Sequence, residues 1–132
     1  MPDRQSLLAL AGRVALSALF IYEGAIQIPQ YDMVAAYMAD YGVSPSLLPV
    51  VIATELGGGL LVAAGLWTRW AALALAGFCV LTALFFHLDL ADPDQVVHLF
   101  KNLAIAGGFL LLVAEGAGPI SLDAWRTGRW RG

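Results

Sequence analysis

Cysteine is almost missing from this sequence, with Cys79 standing alone in 132 residues. One thiol excludes both a disulfide framework and a CxxC redox pair within the chain. Set in an apolar segment, Cys79 reads as a small core residue. Charge is scarce as well: Asp, Glu, Lys and Arg make up 13% of the residues and the net charge is -3. That balance argues against nucleic acid as a partner. The run Gly57–Gly59 lacks the lysine of a phosphate-binding loop and lies inside an apolar stretch. No small-x-small cleavage site follows the first apolar run, and Arg13 interrupts it, so the N-terminus is expected to stay as a helix and not to be removed as a signal peptide.

Apolar residues fill the space left by these absences. They make up 60% of the chain, with a mean hydropathy of +0.76, against roughly 45–50% in an ordinary soluble domain. Apolar runs lie at 6–28, 47–66, 69–88 and 98–117. Each is close to the ~20 residues that cross a hydrocarbon core at ~1.5 Å per residue. Pro29 closes the first run, and Gly116, Gly118 and Pro119 close the last. The sequence therefore predicts an all-α membrane protein, a four-transmembrane-helix bundle in a single domain 1–132 with an interfacial tail at 119–132. No room is left for a separate soluble catalytic domain.

Arg4, Arg69, Arg126, Arg129 and Arg131 fall on one side of this arrangement, while Lys101 shares the other with Asp32, Asp40, Asp89, Asp92 and Asp94. By the positive-inside rule both termini are expected in the cytoplasm. Trp67, Trp70, Trp125 and Trp130 fall at the same interface, as in an aromatic belt. Between the first two spans, QYDMVAAYMADYGVSPS is expected to form a short interfacial helix. The tail SLDAWRTGRWR, with Ser121 as a candidate N-cap, is expected to grip anionic headgroups. LLVAAG at 60–65 recurs as LLVAEG at 111–116, which suggests two hairpins related by a parallel pseudo-repeat.

Ionisable groups inside spans cost roughly 2.5–3.5 kcal/mol each on insertion scales and mark functional sites by default. Glu23 lies near the outer end of span one with Gln27 and Gln30 on nearly the same face, Glu55 lies within span two, and His87 ends span three. His98, Lys101 and Asn102 open span four. Glu55 is expected to pair with Lys101, with Gly58 and Gly59 clearing space on its face. Arg13 and Glu115 are the candidate buried structural charges, and Glu115 is the candidate partner of Arg13. In span four, His98, Lys101, Ile105, Gly108, Leu112 and Glu115 form the stripe expected to face the bundle. His87 and His98 are weak metal candidates only, since HLDLADPDQVVH matches no tight ligand spacing. The ligand-binding candidates are thus Glu23, Glu55, His87, Lys101 and Asn102.

Several segments together resemble the DoxX family of small bacterial membrane proteins. They are the Arg13 region, ELGGGLLVAAGLWTRWAA from Glu55 to Ala72, His87, KNLAIAGG from Lys101 to Gly108, and GPISLD from Gly118 to Asp123. The resemblance implies a multi-pass protein of the bacterial cytoplasmic membrane, associated with redox physiology: thiosulfate-to-quinone oxidation and membrane oxidoreductase assemblies. It carries over no catalytic residue. A single cysteine argues against thiol exchange by this chain itself, and no covalent-cofactor or metal motif is present. Three readings stay open: a redox-complex membrane subunit with an outward-opening quinone or small-anion site, a non-enzymatic anchor or scaffold packing through Gly57–Gly59 and Gly107–Gly108, and transport as a homo-oligomer.

Overall fold

The structure is a computed structural model that describes all 132 residues. It is helical throughout, and four of its helical segments are long and apolar enough to cross a membrane. The first span is α1, Arg4–Gln27, whose N-cap Asp3 accepts the Ser6 amide at 2.7 Å. Pro29 follows its end, and a short helix α2, Tyr31–Asp40, turns across the mouth of the bundle. Pro45–Ala64 forms the second span as a composite: a 3-10 turn at Pro45–Leu47, α3 at Leu48–Ile52, a π turn at Ala53–Gly57 and α4 at Gly58–Ala64. The third and fourth spans are α5, Thr68–Phe86, and α6, Pro93–Glu115. A last short helix, α7, covers Leu122–Arg126.

The fourth span begins five residues before the apolar run does, because Pro93 occupies the first helical turn behind the N-cap Asp92. His98 therefore lies inside the helix and does not open it. Both LLVAAG and LLVAEG end at a glycine with positive φ, Gly65 at 69° and Gly116 at 83°. Only Gly65, with ψ 38°, is a left-handed cap; Gly116 has ψ -172°, so the shared hexapeptide ends its two helices in different conformations.

A core of Phe20, Val62, Leu75, Ala76, Cys79, Ala106 and Phe109 fills the half of the bundle nearer the termini. Phe20 meets Phe109 edge-on at 5.3 Å. Small residues on α5 let α6 pack closely along it, as in other membrane helix pairs. The outer faces carry Leu8, Leu60, Leu81, Leu84, Leu110 and Leu111, all exposed, as expected of a surface solvated by lipid.

GPISLD closes the end that carries the termini. Arg13 is 2% exposed, and its guanidinium donates to the carbonyls of Ala117, Ile120 and Ala63. Glu115 is exposed and takes no part. The expected Arg13–Glu115 pair is therefore replaced by a fork of donors on backbone carbonyls, two from the segment that follows Glu115, at Ala117 and Ile120, and one from α4, at Ala63. Ser121 does cap α7, accepting the Ala124 amide at 3.1 Å. Asp123 reaches back across the turn between α4 and α5 and accepts the amides of Trp67 at 2.8 Å and Thr68 at 3.0 Å. These bonds hold Trp67 at a φ of 46°, a conformation costly for a bulky residue. A Cβ on Gly65 would lie 2.5 Å from the Ser121 Cβ and 3.1 Å from the Arg13 Cζ, so only glycine fits beneath the tail.

The latch has a pH signature. Burial works to raise the Asp123 carboxyl, but the hydrogen bonds from Thr68 and Trp67 outweigh it and hold the group below its ordinary value of 3.8. Because the folded pKa lies below the unfolded one, Asp123 stabilises the fold above that value, and its contribution disappears as pH falls through the folded pKa. In nanodiscs, the unfolding midpoint of the wild type should drop on acidification below about pH 4. Asp123→Asn should remove that component, and identical acid profiles for the two proteins would show that the latch does not titrate.

A polar cavity at the open half of the bundle

The π turn decides where Glu55 points. One extra residue in the turn at Ala53–Gly57 breaks the regular helical ladder, and such bulges recur at functional sites. On its two sides the second span meets its neighbours through glycine. A Cβ on Gly24 of α1 would lie 2.8 Å from both the Cβ and the backbone N of Leu56, and one on Gly59 would lie 3.1 Å from the backbone N of Ile21. Gly58 faces the Leu75 side chain instead. The backbones of α1 and the second span therefore touch directly beside Glu55, at Leu56, and again one turn on, at Gly59; Glu55 itself is 3% exposed.

This contact corrects the expected partner of Glu55. Since α1 closes against the π turn, Gln27 reaches the carboxylate, its Nε2 donating to the two oxygens at 3.3 and 3.4 Å. Lys101, on α6, is exposed at the rim and forms no pair with Glu55. Glu23 stands one turn before Gln27 on α1 and lines the same cavity as Glu55. The Oε1 of Gln27 is buried without a partner.

These groups open into a cavity of about 960 Å³. Glu23, Glu55, His87, Lys101 and Asn102 all line it, as do Gln27, Gln30 and His98. Its floor includes Phe20, Phe78, Cys79 and Ile105, where the aromatic core begins. Leu19, Val50, Leu73, Leu81 and Phe85 line it too, yet each is between 41% and 62% exposed. The apolar part of its wall is therefore open and not sealed within the bundle.

At the mouth, the His87 and His98 rings stack with centroids 5.2 Å apart, and His87 Nδ1 lies 2.7 Å from the Gln95 Oε1. No third His, Cys, Asp or Glu joins them in a group able to hold a metal. The segment α2 does more than rest at an interface: Val34, Tyr37 and Met38 line the cavity. Tyr37 stacks on Phe86 at 5.4 Å, and Tyr41 sits 5.1 Å from the same ring. Burial, with help from Tyr41, pushes the Tyr37 phenol up to about 12, so it stays a neutral donor. The residues that sequence reasoning passed over are Tyr37, Tyr41 and Phe86; the i, i+4 spacing of the two tyrosines was their only signal.

The middle of the expected α6 stripe faces the bundle, with Ile105 and Leu112 packed against the core and Gly108 against Leu16, but its ends do not. His98, Lys101 and Glu115 are exposed, whereas Ala106 and Phe109 are buried and Asn102 and Ile105 half-buried. Charge at the rim and bulk in the core thus share one helix, but not one face.

A polytopic four-helix membrane protein with a polar, open cavity is the class that this architecture defines. Residues 8–88 match the DoxX family, and the chain belongs to that family. It is 41% identical over 121 residues to the inner membrane protein YqjF of Escherichia coli K12, covering 92% of this chain and 93% of that one. It is 33% identical over 125 residues to the inner membrane protein YphA of the same organism, covering 89% of each. No solved structure matches the chain. The family segment contains Glu23, Gln27, Glu55 and His87, while Lys101 and Asn102 lie beyond it.

Proposed function

We propose that this chain is the ligand-binding membrane subunit of a redox system in the bacterial inner membrane, and that its cavity takes a quinone-type ring from the bilayer. The observation that carries this reading is the 960 Å³ cavity, whose apolar wall is open while its interior collects carboxylates, imidazoles, an ammonium and amides. Apolar walls with a few converging polar groups are the ordinary form of a small-molecule site. A ring substrate would arrive laterally, its tail left in lipid. Lys101 and Asn102 would donate to a ring oxygen at the rim, and Glu55 and Glu23 would exchange protons at the inner end. Electrons would pass to or from a partner protein, since this chain offers no dithiol.

The names of YqjF and YphA support the inner-membrane location. Arg69, Arg126 and Arg131 gather around the latch, where Arg69 donates to Val113 and Arg131 to Pro119. With that end cytoplasmic, the cavity opens outward. The scaffold reading is weakened by where the glycines go: Gly58, Gly59 and Gly108 pack within the chain against Leu75, Ile21 and Leu16, so of the two glycine faces only Gly57 and Gly107 stay free for a partner.

Binding of a short-tailed benzoquinone couple to the protein in nanodiscs tests this. Lys101→Ala should keep its unfolding midpoint and lose about tenfold in affinity for either redox form, the size of one charge-assisted hydrogen bond. Absence of any ring binding to the wild type would remove the reading.

A further inference from the structure

We infer that the inner end of the cavity recognises a hydrogen-bond donor, so that the site prefers the reduced, hydroxyl-bearing form of its ring ligand over the oxidised, carbonyl-bearing form. This deepens the reading above and rests on it. Hydrogen-bonding capacity at the inner end is lopsided. Glu55 and Glu23 bring only carboxylate oxygens when ionised, and the amide donor beside them, Gln27 Nε2, is turned towards both Glu55 oxygens at 3.3 and 3.4 Å. Gln27 Oε1 adds another acceptor that is buried with nothing donating to it. Flipping the amide would exchange which of its two ends faces Glu55 without changing the number of acceptors. Even with one proton held between the two acids, acceptors outnumber donors.

Lys101, the cation that could have balanced them, is exposed on α6 and pairs with neither acid. Glu55 is 3% exposed, so water reaches these acceptors only from the cavity and is displaced when a ring enters. A buried polar group left without its complement is costly, and a ligand that supplies the complement regains that energy on binding. A ring hydroxyl aimed inward supplies it. A ring carbonyl in the same place would set its lone pairs against carboxylate oxygens and the Gln27 carbonyl. On α6 the order is reversed, since Lys101 donates at the exposed rim and the half-buried Asn102 beside it offers an amide able to donate. The second ring oxygen, an acceptor in either redox form, fits there. Phe20 and Phe78, edge to face at 6.4 Å, provide an aromatic floor for the ring between the two polar ends.

The test compares a short-tailed benzoquinone with its hydroquinone under argon, each titrated calorimetrically into the full chain in nanodiscs. The hydroquinone should bind about tenfold more tightly, a difference of about 1.4 kcal/mol. Glu55→Gln keeps the shape but exchanges an acceptor for a donor, and should erase or invert that preference. Glu23→Gln, which makes the same acceptor-for-donor exchange at the second acid, should narrow it and serves as the second variant if Glu55→Gln does not fold. Equal affinity for the two forms, or tighter quinone binding by the wild type, would overturn the inference while leaving a ring site in place. Binding of neither form would overturn the proposed function itself.

Discussion

Arg13→Met should lose about 3 kcal/mol of stability and free the C-terminal segment. Methionine keeps the apolar stem of arginine but offers no donor to Ala117, Ile120 and Ala63, whose carbonyls the guanidinium now joins. Each buried acceptor left unpaired costs roughly 1–3 kcal/mol. Against this stands the relief of removing a cation from the membrane interior, roughly 2.5–3.5 kcal/mol on insertion scales. The three orphaned carbonyls outweigh it. Lysine at the same position should recover only part of the loss, because its point charge cannot span acceptors that a planar fork reaches together. Thermal unfolding in nanodiscs measures the cost, and trypsin cleavage after Arg126 reports release of the tail. A variant that melts with the wild type and keeps its tail protected would show that Arg13 does not hold the latch.

The four-helix membrane fold could be read from the sequence because lipid imposes a simple rule: runs of about 20 apolar residues become spans. The polar residues that line the cavity could be read for a related reason. Glu23, Glu55, His87, Lys101 and Asn102 stand out in a chain with so little charge, and all of them border one space. Their pairing was not legible. Charge complementarity suggested Glu55 with Lys101 and Arg13 with Glu115, yet the partners are an amide side chain and three backbone carbonyls. Neutral partners leave no mark in a tally of charges. Depth along a helix can be counted from residue numbers, whereas the facing of two helices depends on where their backbones can meet. Here Gly24 and Gly59 set that contact, and Gly24 carries no signal by itself in a glycine-rich membrane sequence. The π turn was hidden for the same reason, since an extra residue in a turn shifts the register without changing composition. On α6, Phe109 turns inward beside the expected stripe because its bulk must find the core beside Phe20, while Lys101 turns out.

Gly24→Leu should be the substitution that separates the two halves of the polar site. Already at its Cβ the new side chain would sit 2.8 Å from the Cβ and the backbone N of Leu56. Overpacking of this kind costs about 1–3 kcal/mol, and a backbone atom in the way puts the expected loss near the upper end, about 3 kcal/mol. Trimming the neighbour with Leu56→Ala should not rescue it, because both the alanine Cβ and the backbone N stay where they are. Gly12→Leu on the same helix is the control: nothing lies within 4 Å of a Cβ there, and the residue is exposed. That variant should unfold within a few tenths of a kcal/mol of the wild type, as surface substitutions do. The functional effect should exceed the stability effect. Glu23 and Gln27 flank Gly24 on α1, while Glu55 precedes Leu56 on the second span, so prying the helices apart there moves the acids and the amide away from one another. Ring binding should then be lost even in the fraction that stays folded, while Gly12→Leu binds normally. If Gly24→Leu folds and binds as Gly12→Leu does, the direct backbone contact is not what positions Glu55, and the cavity's inner end must be held by α2 and the π turn instead.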